Sequence, residues 1–407
     1  MLTIDSINSL MQPIVDRQTN INTYILSKIA DRVNKIGKLS SSDVYQLTRM
    51  RDIGADVREI NTQLATLTGL QVVDIQKLIR NVAETVYLEA KPFYDYRHKS
   101  FIPFAKNAYM QREVEAIARQ TAGTYRNLAN SQAFMLRDRA NPEKLIPTPL
   151  SKAYQDVVDE AIQSVQMGVV DYNTAMRRTM KQLSDSGFRY VSYNTESGKV
   201  YTQRMDSAVR RNILSGTREV NQQVWLLTGE EFDADGVEVS AHPAPAPDHA
   251  EMQGHQYTNA NFEKMQSNQA FEDVQKRSYK PFKRQVTTLN CYHLARPIII
   301  GVFKQTYSDE QLKNILKKND AGYTDKRGRH YTLYECTQIQ RKFERNIRKA
   351  KDGQITARAS GDEELAQEYQ AKIDKYTKQY NAFSEACGLS RKPERMRVSG
   401  YHKVKVK

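Results

Sequence analysis

Cysteine and tryptophan are scarce in this chain of 407 residues, which holds three Cys and one Trp. The cysteines, Cys291, Cys336 and Cys387, are odd in number and widely spaced, which argues against a disulfide framework and favours a reducing compartment. Long apolar runs are missing, so no transmembrane span is expected. The first ten residues lack a basic region followed by an apolar one. We therefore expect no signal peptide, and assembly in a cytoplasm.

Short motifs of several enzyme classes are missing too. The sequence contains no GxxxxGK[ST] loop, no GxGxxG after a predicted strand and no GxSxG elbow. Phosphate cradling by a glycine-rich loop and serine-hydrolase chemistry are therefore excluded in their familiar forms. No cofactor is expected.

Basic residues exceed acidic ones, with 61 Lys and Arg against 47 Asp and Glu and a formal net charge of +14. Residues 320–407 hold 20 Lys and Arg against 12 Asp and Glu, so more than half of the excess lies in the last fifth of the chain. Such a charge favours nucleic acid or an acidic protein surface as partner, although a soluble basic protein without such a partner remains the alternative.

Apolar periodicity predicts that residues 1–187 are almost entirely helical. Apolar residues recur every three or four positions from Val44 to Leu67, and a second stripe starts at Val72. Because Gly69 lies between them, we expect a helical hairpin. A loop is expected over 91–103, a helix over 105–137 and a proline-containing linker over 141–149.

At Phe188 the hydrophobic period changes from 3.6 to 2, which predicts a β-hairpin over 188–202. Residues 188–333 are expected to form an α+β module, with a helix from Asp206, strands at 236–241 and within 289–301, and a short helix capped by Ser308. Residues 334–407 are expected to form a basic helical region, with a turn at 353–361. The predicted fold class is α+β, mostly α-helical.

Histidine is concentrated between residues 236 and 301, where four of the seven occur. The side chains of interest there are His242, His249, Gln253, His255, Cys291 and His293. Prolines interrupt this window and hold its loop rigid. We expect these side chains to cap strands and pin the loop, without catalysis or a bound metal.

Two chemical alternatives for this cluster stay open. His242, His249, Cys291 and His293 are ligand types for zinc, and a zinc-containing nucleic-acid-binding module is possible. Against it, Cys291-x-His293 is tighter than the usual finger spacing. A nuclease or toxin-like enzyme could use His242, His249 and His293 as general acids and bases. Against that, the sequence places no paired carboxylates near by.

The helix predicted from Tyr334 to Lys351 supplies the candidates for DNA contact. They are Arg341, Lys342, Arg345, Arg348 and Lys349. Such side chains can bind phosphates without reading sequence. A solvated charged face is the alternative for a single helix of this kind.

Several segments carry a family resemblance. They are Asp206-x-Ala208-Val209-Arg210-Arg211-Asn212, Asp235 to His242, His249 with Gln253-Gly254, Asn290-Cys291-x-His293-x3-Pro297, Tyr307 to Leu312, and Tyr334-x-x-Thr337-Gln338-x-Gln340-Arg341. Together they resemble the phage minor capsid protein 2 family, most specifically from about 188 to 350. Where that family has an Arg shortly before the second loop histidine, this chain has Ala246-Pro247-Asp248, which weakens an enzymatic interpretation.

The resemblance implies a structural role in the head of a tailed phage. Proteins of this kind are low-copy internal head proteins that associate with the portal and the packaged genome and act in assembly or DNA ejection. The implied partners are the portal protein, major capsid or scaffold proteins, and genomic DNA, with several copies per head and no membrane. The implied location is the capsid interior or portal vertex. On this basis, residues 1–187 are candidates for portal or self-association contacts.

Overall fold

The computed structural model describes residues 4–36, 43–138, 140–141, 143–166, 172–193, 200–281, 284–287 and 291–405. The helices are α1 (Ile4–Ile36), α2 (Asp43–Glu89), α3 (Lys91–Tyr96), α4 (Ala108–Asn130), α5 (Leu150–Gln166), α6 (Tyr172–Ser186), α7 (Met205–Glu231), α8 (Asn259–Gln266), α9 (Asp309–Ala321), α10 (Leu333–Ala359) and α11 (Glu363–Ala386). The strands are β1 (Gln132–Arg137), β2 (Leu145–Thr148), β3 (Phe188–Tyr193), β4 (Val200–Arg204), β5 (Gly236–Val239), β6 (Gln256–Thr258), β7 (Phe271–Glu272), β8 (Ser278–Tyr279), β9 (Ala295–Ile298), β10 (Tyr323–Thr324) and β11 (His330–Tyr331). The predicted class, α+β and mostly helical, is confirmed.

Helices α1, α2, α4 and α7 pack against one another around the largest apolar core. α4 begins at Asn107, whose side chain accepts a hydrogen bond of 3.0 Å from the Met110 amide. The aromatic segment after α2 closes one end of this core, where the rings of Phe93 and Trp225 meet edge to face at 5.8 Å. None of the helices in the described ranges is long and apolar enough to cross a bilayer.

The predicted helical hairpin with a break at Gly69 is wrong, because α2 is continuous from Asp43 to Glu89. A glycine inside a helix costs about 1 kcal/mol relative to alanine. Burial of the following turns, including Ile75 and Ile79, outweighs that cost. The predicted loop over 91–103 is wrong in its first half, which forms α3. Pro92 lies in the first turn of α3, where a missing amide hydrogen removes no helical bond.

The predicted helix over 105–137 is wrong beyond Asn130, where the chain turns into β1. Phe134 and Leu136 are buried two positions apart, so the strand period prevails there. The predicted linker contains β2, which pairs antiparallel with β1. Pro147 is tolerated because β2 is the edge strand of the sheet β2-β1-β3-β4.

The predicted hairpin of β3 and β4 is confirmed in its antiparallel strands, and its turn, 194–199, lies outside the described residues. Since β3 also pairs with β1, the sheet joins strands from both sides of residue 187. Helices α5 and α6 pack against this sheet. The division of the chain into 1–187, 188–333 and 334–407 stays a prediction.

A second sheet, of order β6-β5-β9, follows α7 and carries the histidine-rich loops. Both strands predicted in this region, near 236–241 and within 289–301, are present as β5 and β9. A Cβ atom at Gly236 would lie 2.5 Å from the backbone oxygen of Tyr257, so only glycine allows these strands to pair so closely.

The C-terminal helices α10 and α11 form an antiparallel pair. The predicted turn at 353–361 is wrong over most of its length, because α10 continues to Ala359. A Cβ atom at Gly353 would lie 2.4 Å from the Tyr369 ring, so this glycine permits close helix packing. After α11 the chain returns to α1, where Thr23 donates a hydrogen bond of 3.0 Å to the Ser399 carbonyl. The predicted cap at Ser308 is confirmed as a capping box with Gln311.

Candidate histidine–cysteine site and arginine-lined cleft

Three side chains from two separate segments converge beside the second sheet. His249 is the last residue of a short 3₁₀ turn, Pro247–His249, whereas Cys291 and His293 lie in the segment that leads into β9. The Cys291 Sγ atom lies 3.5 Å from His249 Nδ1 and 3.4 Å from His293 Nδ1. All three side chains are buried, and one ligand atom from each lies within 4.8 Å of the others. They are therefore the residues of this site that could hold a metal ion.

Hydrogen bonds on the far side of each ring orient these imidazoles. His249 Nε2 lies 2.7 Å from the Arg284 carbonyl oxygen, and His293 Nε2 lies 3.2 Å from Gln253 Oε1. The same Gln253 oxygen accepts a 3.0 Å hydrogen bond from the His242 amide, which fixes the orientation of its side chain. Both imidazoles therefore donate from Nε2–H, and both Nδ1 lone pairs face Cys291.

Burial sets the protonation of the cluster. It lowers the pKa of His249 and lowers the pKa of His293 well below its usual value, where neighbouring histidines add to the effect. Burial also raises the pKa of the Cys291 thiol. These shifts favour neutral imidazoles and a protonated thiol, which is a poor arrangement for a cysteine nucleophile.

The other predicted members of the cluster divide into neighbours and outliers. His242 is half-buried beside the site, with its ring centroid 4.5 Å from that of His293, and its Nδ1 bonds to the Pro243 carbonyl at 2.9 Å. Gln253 is a neighbour of the site, because its side-chain oxygen accepts the hydrogen bond from His293 Nε2. His255 belongs to a different group, because its Nδ1 lies 2.7 Å from Arg277 Nη2.

A strongly cationic cleft of about 530 Å³ lies next to this cluster. It is lined by parts of α1, α6, α7, α10, β3, β4 and the segment after α11. The lining contains eleven cationic side chains, Arg189, Arg204, Arg210, Arg211, Arg218, Arg341, Arg345, Arg348, Lys349, Arg395 and Arg397. It contains four acidic ones, Asp185, Asp206, Glu344 and Glu394. The excess of seven positive charges gives this cleft a high positive potential.

Four of the five predicted DNA-contact residues line the cleft, but they differ in availability. Arg348 is nearly buried and its Nε lies 2.7 Å from Asp206 Oδ2. Arg341 donates to the Tyr292 hydroxyl at 3.0 Å, and Lys349 pairs with Asp185 at 3.2 Å. Arg345 is exposed. Lys342, the fifth candidate, is exposed but lies outside the cleft lining.

The arginines that α7 and the C-terminal segment add to the cleft were not among the predicted DNA-contact residues. Arg210 is the most unusual of them, because its Nη1 atom is buried without a hydrogen-bond partner. Burial and the nearby Arg395 and Arg348 lower the pKa of Arg210 to about 10. In the sequence, the adjacent pair Arg210-Arg211 was the feature that could have indicated a second cationic surface. Only the fold shows that this pair lies opposite α10 in the cleft.

Tyr292 connects the two sites, since it stands between Cys291 and His293 in sequence and lines the cleft. The Arg218 guanidinium lies 4.4 Å from its ring centroid. Burial raises the pKa of Tyr292, but Arg341 and Arg218 outweigh that effect and hold it below its usual value. The short segment from Cys291 to His293 thus contributes to both the cluster and the wall of the cleft.

These features define a basic, mostly helical α+β protein with a cationic cleft beside a buried histidine–cysteine cluster. The model of the family described as Phage minor capsid protein 2 matches residues 2–385. The chain belongs to this family and is a structural protein of the bacteriophage virion, as the sequence motifs predicted. No significant match was found among curated proteins or solved structures.

Proposed function

We propose that this minor capsid protein acts inside the phage head, bound to the portal and in contact with packaged DNA, during head assembly or DNA ejection. The observation that carries the DNA contact is the arginine-lined cleft, with eleven cationic and four acidic side chains in its lining. The proposed role is binding without catalytic turnover.

Phosphate groups are the ligands that this cleft fits best. Arginine guanidinium groups offer several donors in a fixed plane, which matches phosphate oxygens. Ion pairs with Asp206 hold the guanidinium of Arg348 in place, while Arg210 keeps a donor atom without a partner. A cleft of this kind binds backbone phosphates and reads no bases, which suits a protein that must accept any part of a genome.

The DNA contact is tested by charge reversal in the full chain. Arg345→Glu with Lys349→Glu changes two exposed side chains four residues apart on the cleft side of α10. Lys313→Glu with Lys317→Glu is the matched control, because it makes the same charge change on exposed positions of α9 outside the cleft. Binding to a duplex of random sequence is measured against salt concentration.

We expect the cleft variant to weaken binding and to reduce the slope of log K against log salt by roughly 2, about one for each lost phosphate contact. The control should keep the wild-type slope. Equal effects of the two pairs would mean that binding reflects overall charge, and the proposed role of the cleft would be wrong.

The proposed portal or self-association surface lies in the N-terminal helices. Among the described residues, eight of the twelve exposed large apolar side chains precede residue 188: Leu10, Leu70, Val73, Leu88, Tyr96, Ile102, Tyr109 and Leu145. Leu70 and Leu88 are five helical turns apart and so lie on the same face of α2. A protein partner that covers this face of α2 would remove both side chains from water.

Co-purification with the tagged portal protein tests this surface. Leu88→Lys places a charge on the exposed face of α2 and should reduce capture of the full chain by the portal. Leu226→Lys is the control, since Leu226 is similarly exposed on α7. Capture that is unchanged by Leu88→Lys, or lost equally with Leu226→Lys, would count against the surface.

A further inference from the structure

We propose that His249, Cys291 and His293 bind a zinc ion through two Nδ1 atoms and one thiolate. The inference rests on the geometry of these three side chains and does not depend on the proposed contacts with DNA or portal. Their sequence separation, of 42 residues between His249 and Cys291, follows no standard zinc motif.

Both distances from the sulfur to the nitrogens are those of a tetrahedral site. With Zn–S near 2.3 Å and Zn–N near 2.05 Å, a tetrahedral angle places sulfur and nitrogen about 3.5 Å apart. The Cys291 Sγ atom lies 3.5 Å from His249 Nδ1 and 3.4 Å from His293 Nδ1. The two sulfur–nitrogen separations therefore match those around one tetrahedral ion, and all three ligand atoms lie within 4.8 Å of one another.

Both Nδ1 atoms face the same sulfur atom. Both rings present an Nδ1 lone pair to the sulfur, because both Nε2–H groups donate elsewhere. A single S–H group can donate to only one of the two lone pairs. A cation between the three atoms satisfies both nitrogens and the sulfur at once.

The surrounding groups have the pattern found around histidine ligands of metals. Such ligands usually donate the second ring N–H to a carbonyl or carboxylate oxygen, which fixes the tautomer and the ring orientation. Here the Arg284 carbonyl serves His249 and the Gln253 amide oxygen serves His293.

Zinc is the ion that the donor set favours, because two imidazoles and one thiolate suit a borderline-soft metal without redox chemistry. On binding, the Cys291 S–H bond breaks, an S–Zn bond forms and the proton leaves to solvent. Three protein ligands leave one tetrahedral position for water or for His242, whose ring lies next to His293. The ion would fasten the 3₁₀ turn at Pro247–His249 to the segment before β9.

Metal content of the purified full chain, measured by elemental analysis, tests the proposal. We expect about one zinc per chain in the wild type and loss of most of it in Cys291→Ala and His293→Ala, as for a three-ligand site. Cys387→Ala and His255→Ala are matched controls, because they remove a buried cysteine and a buried histidine outside the cluster. Wild-type protein without stoichiometric zinc, or controls that lose it equally, would overturn the proposal.

A second measurement keeps the test valid if the ligand variants fold poorly. Cobalt exchanged into wild-type protein should give the visible and near-ultraviolet absorption of a tetrahedral, thiolate-bound ion. Removal of the metal by a chelator should lower the melting temperature of the wild type, and zinc should restore it, because a structural metal contributes to folding. A melting temperature insensitive to both, together with no cobalt absorption, would exclude the site.

Discussion

Arg348 Nε lies 2.7 Å from Asp206 Oδ2, which binds the basic helix α10 to the first turn of α7. A second pair runs beside it, with Arg204 Nη2 at 2.9 Å from Asp352 Oδ2. Arg204 also approaches Asp206 at 3.3 Å, so the four side chains form one network. Since each is nearly buried, the network joins β4, α7 and α10 at the wall of the cationic cleft.

Replacement of Asp206 by Asn should destabilise the protein strongly. The change leaves Arg204 and Arg348 with one buried carboxylate between them, and breaking a buried ion pair from one side costs about 3–5 kcal/mol. Asp352→Asn should cost less, because burial and the nearby Asp206 raise the pKa of Asp352 and so disfavour its charged form. Denaturant unfolding of both variants compares them; equal losses would contradict the expected order.

The free energy of unfolding should decrease at acid pH, because the Asp206 carboxylate becomes protonated. Burial raises the pKa of its carboxyl, but Arg204 and Arg348 outweigh burial and hold it well below the usual range. The folded pKa therefore lies below the unfolded value of about 3.9. Its contribution is full above that value and is lost as pH falls toward the folded pKa. Unfolding free energy measured from pH 6 to pH 3 should fall more steeply in the wild type than in Asp206→Asn; parallel curves would exclude this role.

Two glycines in helices should respond to alanine in opposite directions. Gly353→Ala pushes a methyl group into the Tyr369 ring, which lies 2.4 Å from the ideal Cβ position, and should cost about 1–3 kcal/mol. Gly123→Ala in α4 meets nothing within 4 Å and should stabilise by up to about 1 kcal/mol. Melting temperatures of the two variants check this. Tolerance of Gly353→Ala would show that α10 and α11 can shift apart.

Nuclease turnover is not expected from the histidine–cysteine cluster. The Nε2–H group of each imidazole donates to an oxygen atom of the protein, and each Nδ1 atom faces the Cys291 sulfur. Neither ring therefore presents a nitrogen atom to a substrate for proton transfer. Purified protein incubated with DNA or RNA and divalent cations should give no cleavage above background, and His249→Ala should change nothing. Cleavage abolished by that substitution would establish the enzymatic alternative.

Most of the fold followed from the sequence where the periodicity was strong and the ends were capped. The strands β3 and β4 were predicted from their period of two and the start of α9 from the cap at Ser308, and α7 was predicted although no side chain caps its first turn. The errors at Gly69, at 131–137 and at Gly353 share a cause. A glycine or a short apolar run has no fixed local meaning, and the packing partner decides whether a helix continues.

The candidate sites were harder to predict because their parts are distant in sequence. Spacing could not show that His249 meets Cys291, since the intervening residues form β6, α8 and further loops before the chain returns. Four cleft residues were predicted from the basic helix α10. The opposite wall of the cleft comes from α7 and from the segment after α11. Only tertiary packing reveals which charged side chains share a cavity.

The return of the C-terminal segment to α1 bears on how the protein is made. Arg397 pairs with Asp16 at 3.0 Å, and Thr23 bonds to the carbonyl of Ser399, so these contacts span about 380 residues of chain. A ribosome releases these partners of α1 only about 380 residues after α1 itself, and contacts of such high sequence separation form slowly. Until then this face of α1 is uncovered, and a chain that stalls or is cleaved before residue 397 would keep it open to chaperones and proteases.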